Sequence, residues 1–81
     1  MPDLQILHRS HFRPLKGATA RQIAGNCWEV TIPLADNRRW LPGTQARDYD
    51  DAVLLVDDEE SVQVMGTREH RDAIVVTVVL P

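Results

Sequence analysis

Apolar and polar positions along the chain mostly follow the two-residue alternation of β-strands, and the densest apolar run lies near the end. Ala73-Ile74-Val75-Val76-Thr77-Val78-Val79-Leu80, followed by Pro81, is rich in valine and isoleucine. Branching at Cβ favours extended backbone over helix, so residues 73–80 are predicted to form a strand. Ile74, Val76, Val78 and Leu80 would project to one side, and Ala73, Val75, Thr77 and Val79 to the other. Both sides are nearly apolar. That predicts a central strand covered twice, by the rest of the chain or by another copy.

A second pattern covers residues 27–34, where Trp28, Val30, Ile32 and Leu34 alternate with Glu29, Thr31 and Pro33. This is the signature of a half-buried strand, and Pro33, which has no N–H, places itself at a sheet edge or a strand end. Leu4, Ile6 and His8 alternate with Gln5, Leu7 and Arg9 and predict a first strand. Residues 52–56 and 61–66, joined through Asp57-Asp58-Glu59-Glu60, predict a hairpin with an acidic tip. A charged connection then leads into residues 73–80, so these three segments read as an antiparallel meander. Residues 18–24 hold helix formers stopped by Gly25-Asn26 and predict one short helix. The alternative is a strand over residues 20–23 that turns at Gly25-Asn26. Residues 35–51 are polar, lack periodicity and contain Pro42-Gly43, which predicts a long loop of the kind that is functional or mobile. The predicted fold class is mainly β, or α+β if the helix forms: a small antiparallel sheet or barrel of four to five strands with at most one short helix.

A chain of 81 residues makes one domain and buries roughly 60% of its unfolded surface, which leaves a single core marginal. Cys27 is the only cysteine, so no intrachain disulfide reinforces it. The opening Met1-Pro2-Asp3-Leu4-Gln5 lacks the cationic and apolar segments of a signal peptide. No apolar stretch approaches the ~20 residues that cross a bilayer as a helix. A soluble, cytoplasmic protein is expected.

Charge changes the picture, because the net −3 is unevenly spread. Residues 1–47 hold seven cations and three anions, net +4, while residues 48–81 hold nine anions and two cations, net −7. The halves either neutralise each other, as neighbouring strands or as two subunits, or present a basic and an acidic face to different partners.

Candidate chemistry is sparse. Gly25-Asn26-Cys27-Trp28 is similar, over these four residues, to the Cys-Trp step at the nucleophile of papain-like peptidases. There the cysteine caps a helix whose dipole lowers its pKa; here Cys27 begins a strand pattern, which predicts a buried structural cysteine. His8 and His11 are three apart, and on one strand they would face opposite sides, so with Cys27 or His70 they make a poor metal set. Asp48, Asp50 and Asp51, then Asp57, Asp58, Glu59 and Glu60, lack the central glycine of a calcium loop and predict a solvated tip instead. No cofactor, no metal and no catalytic activity are expected.

Arg38-Arg39-Trp40, with Tyr49 in the same loop, is the most suggestive group. Arginine and aromatic residues concentrate binding energy at protein interfaces, and they also serve single-strand nucleic-acid binders. The bland alternative is that Trp40 and Leu41 plug one end of the sheet while the arginines stay in water. The expectation is a small protein-interaction module, a regulator, inhibitor or adaptor of a larger protein, as a bacterial or phage accessory protein would be. Its candidate contact surfaces are Arg38, Arg39, Trp40 and Tyr49 in the loop, and Asp57, Asp58, Glu59 and Glu60 at the tip. The alternative is a nucleic-acid-binding accessory protein using the basic N-terminal half and the same loop. A homodimer is expected if the side of residues 73–80 bearing Val75 and Val79 is left bare.

Overall fold

A computed structural model describes residues 3–81; Met1 and Pro2, where the opening of a signal peptide would lie, are outside the described residues. The fold is mainly β, with no α-helix among the described residues. Eight strands form among the described residues: β1 (Leu4–His8), β2 (His11–Pro14), β3 (Thr19–Ala24), β4 (Cys27–Pro33), β5 (Leu54–Val56), β6 (Glu59–Glu60), β7 (Gln63–His70) and β8 (Ala73–Val79). They make two four-stranded antiparallel sheets, ordered β2-β1-β5-β6 and β3-β4-β8-β7. The strands beyond those expected are mainly β2 and β6, too short and polar to carry a periodic signal. No helix among the described residues is long and apolar enough to cross a membrane.

The alternation places the core. Leu4, Ile6, Leu54 and Val56 of the first sheet face Val30, Ile32, Ile74, Val76 and Val78 of the second, all buried in one cluster with Leu80. This is face-to-face packing of two sheets, each contributing every second side chain. As expected, β8 is central, flanked by β4 and β7. Pro33 is the last residue of β4, so its missing N–H ends the strand and does not mark an edge.

Residues 18–24 take the strand alternative. Thr19–Ala24 pairs with β4 around the Gly25-Asn26 turn, with Gly25 at φ 47° where a glycine is least strained. Seven residues are too few for a stable helix, whereas β4 offers this segment a ladder of backbone hydrogen bonds. The expected meander is also divided between the sheets. β5 pairs with β6 over only two positions, and Ser61 then replaces the ladder with its side chain. The Leu54 N–H donates to Ser61 Oγ at 2.9 Å and the Ser61 N–H to the Leu54 carbonyl at 2.8 Å. Past Ser61 the chain crosses, Val62 donating to the Val79 carbonyl, and continues as β7 beside β8.

No helix covers the outward side of β8. Val75 is nevertheless only 2% exposed. Arg68 on β7 stands opposite Val75, and Glu29 on β4 opposite Thr77. Arg68 Nη2 lies 3.5 Å from Glu29 Oε2, so the pair reaches across β8; Arg21 on β3 adds a contact of 3.1 Å to Glu29 Oε1. At the surface such pairs contribute only ~0–1 kcal/mol, so the effect here is chiefly coverage by the arginine stem. Of the two residues on which the homodimer expectation rested, Val75 is buried within its own chain, while Val79 on the same face is only half-buried.

Candidate functional site

The open end of the sandwich beyond His8 is closed by residues 34–51. Two short 3-10 turns, Arg38–Trp40 and Ala46–Tyr49, order this long loop. Asn37 anchors the first. Its carboxamide, 2% exposed, accepts from the Lys16 N–H at 2.7 Å and donates to the Lys16 and Pro33 carbonyls at 3.0 and 2.7 Å. Its own carbonyl accepts from the Trp40 N–H at 3.0 Å, so the clasp that joins the two sheets also fixes Trp40.

Trp40 and Leu41 pack against the core, as the plug reading expects. Three groups gather on the Trp40 indole. The Arg13 and Arg39 guanidinium carbons lie 4.7 and 5.0 Å from the ring centroid, and the His8 ring meets it edge-on at 5.8 Å and 67°. The β1–β2 hairpin sets this up. Arg9 and Ser10, at φ 51° and 71°, make a two-residue type I′ turn that brings His8 opposite His11, and Ile6 stands opposite Arg13 on the same face. The turn thus brings the two histidines together, contrary to their expected divergence. No group of three or more potential metal ligands forms among the described residues.

Beside the indole opens a cleft of about 260 Å³, walled by Leu7, Val53, Trp40, Arg9, Asp48 and Asp51. Arg38 and Arg39 are exposed, while Arg13 is half-buried, with its Nε out of water and without a hydrogen-bond partner. Among the described residues the only ion pairs are the two to Glu29, so none of these arginines has a carboxylate partner.

Tyr49 does not join this surface. It is fully buried, its hydroxyl donates to the Gly43 carbonyl at 2.7 Å, and burial, with the Asp48 charge second, pushes its pKa up to about 12. A side chain at Gly43 would run into the Asp48 carboxylate, which accepts from the Gln45 N–H at 3.0 Å. The polar stretch around Tyr49 suggested exposure, but the turn rotates the ring inward.

Asp57, Asp58, Glu59 and Glu60 are all exposed. Asp57 and Asp58, at φ 49° and 69°, form the two-residue turn, and Asp57 Oδ1 also accepts from the Asp3 N–H at 2.7 Å. Because Leu4 pairs with Val56, this tip stands beyond the start of β1, at the opposite end from His8. The expected contact surfaces are therefore two separate places.

Cys27 is half-buried opposite Val79, whereas His70 lies opposite Ala73 at the far end of β8, so these two residues form no dyad. The outward face of the first sheet was not anticipated. Leu7, 39% exposed, stands opposite Phe12, with Leu55 on the same face. The signals were present: Leu7 and Leu55 break the alternation of their strands, and Phe12 is the only phenylalanine. Comparison with protein-family models, curated proteins and solved structures finds no match, so a functional reading draws on these residues alone.

Proposed function

We propose that the protein is a small interaction module, a regulator, inhibitor or adaptor, that docks a larger protein through the outward face of the first sheet and the adjoining Trp40 corner. The observation that carries this reading is the apolar face of Leu7, Phe12 and Leu55, which runs through Leu7 and Val53 into the Trp40 cleft. The outward face of the second sheet differs, because Arg68 and Glu29 bridge it. Strands of five, four, three and two residues offer a face of roughly 230 Å². A stable complex buries about 800 Å² per partner, so sheet and corner must act together. Aliphatic and aromatic anchors with a cationic rim are the composition that concentrates binding energy.

The unpaired Arg13, Arg38 and Arg39 favour a second reading, a nucleic-acid-binding accessory protein. Against it stand a pI near 5.4 and a Trp40 ring already occupied by two guanidinium groups and a histidine edge. Affinity capture from native extract, with and without nuclease, separates the two. The module reading expects one stoichiometric protein that survives nuclease and is lost with a folded Leu7→Ser/Phe12→Ser variant. Nuclease-sensitive recovery, weakened by Arg38→Ala/Arg39→Ala, would establish the nucleic-acid reading instead.

A further inference from the structure

We infer that the Trp40 corner receives an acidic segment of the partner protein, carboxylates on the Arg13 and Arg39 side and one bulky apolar side chain in the adjoining cleft. The inference rests on the module reading above and specifies the partner's chemistry.

Three observations support it. This chain does pair arginines where they serve the sheet: Arg21 and Arg68 both meet Glu29. Arg13 and Arg39 converge on one indole without a carboxylate, so each raises the potential felt by the other. An oxyanion on either guanidinium lowers that potential and gains charge-assisted hydrogen bonds. Second, Arg13 is held in place by packing on the indole and needs little ordering to receive a ligand. Third, on the cleft wall Asp48 and Asp51 outnumber Arg9 and leave no net positive charge for a carboxylate, while Leu7, Val53 and Trp40 line it with apolar surface. The cleft therefore takes the apolar side chain and the arginine side takes the acids. The acidic tip at the other end of the sheet does not face this corner, whereas a long nucleic-acid strand would meet its repulsion.

The chain supplies its own reporter. Trp28→Phe leaves Trp40 as the sole tryptophan, and its fluorescence is followed while a synthetic peptide of Asp and Glu around one Phe is added. A saturable change is expected, weakened about tenfold by Arg39→Gln and by Arg13→Gln, reduced by salt, and unaltered by Arg21→Gln. Arg39 is exposed, so its variant stays informative even if Arg13→Gln disturbs the fold. No saturable change, equal binding of the Asn/Gln analogue, or tighter binding of a single-stranded oligonucleotide would overturn the inference. If the peptide fails while capture still depends on Leu7 and Phe12, the acidic segment is refuted and the module reading stands.

Discussion

Replacing Asn37 tests the link between the fold and the Trp40 corner most directly. Asn37→Ala removes three hydrogen bonds and leaves the Lys16 N–H, the Lys16 carbonyl and the Pro33 carbonyl without their partner. A net hydrogen bond contributes ~0.5–1.5 kcal/mol, and an orphaned buried group costs ~1–3 kcal/mol. Water can reach part of this site, so the expected loss is about 2–4 kcal/mol. A domain of this size has a stability of about 4–12 kcal/mol, so the loss is a large share of it. Urea denaturation followed by tryptophan fluorescence reads this as a lower midpoint with an unchanged slope. Asn37→Asp sharpens the test. It keeps the acceptor for Lys16 but turns an oxygen toward two carbonyls, so the folded state disfavours the ionised carboxyl and raises its pKa. The variant should thus lie nearest to wild type at low pH and lose stability relative to it as pH rises from about 4 to 7. A cost below about 1 kcal/mol for Asn37→Ala, or a pH-independent deficit for Asn37→Asp, would refute the clasp.

Two further outcomes follow from the turns. Tyr49 is the only tyrosine, so its ionisation can be read alone by absorbance. With its pKa raised from 10.0 to about 12, the stabilisation it contributes is complete below pH 10 and is lost as pH rises toward 12. That displacement corresponds to about 2–3 kcal/mol, and tyrosinate should appear together with unfolding; ionisation near pH 10 in the folded protein would contradict the buried ring. Asp58→Gly should raise the unfolding free energy read by urea denaturation by about 0.5–1 kcal/mol, because glycine suits the second position of a type I′ turn, where Asp58 sits at φ 69°. Destabilisation would show that the Asp58 side chain matters more than the backbone.

Much of the sheet interior is legible in the pattern of residues. Ile74, Val76, Val78 and Leu80, and likewise Val30 and Ile32, are buried as their alternation predicts. The acidic tip is also legible, although the turn itself is only Asp57-Asp58 and Glu59–Glu60 form a strand; the packing of Trp40 is legible only as the alternative to a contact role. The Thr19–Ala24 strand is legible only as an alternative. Thr19, Arg21, Gln22, Ile23 and Ala24 are exposed, and pairing with β4 outweighs a weak helical propensity. The Tyr49 ring and the Asn37 carboxamide give no warning, because their partners, the Gly43 carbonyl and the Lys16 backbone, lie outside any local pattern.

The two sides of the final strand show where each kind of information stops. Its sequence alone determined that residues 73–80 extend, that both faces are apolar and that the strand is central, since side-chain period and Cβ branching are local properties. Only the tertiary structure decided what covers each face: the first sheet on one side, and the Arg68–Glu29 bridge over Val75 on the other. It also decided that Leu7, Phe12 and Leu55 share the outward face of the first sheet. Pairings such as Leu4 with Val56 join residues far apart in the chain, and a local pattern can state that a face needs a cover without naming it.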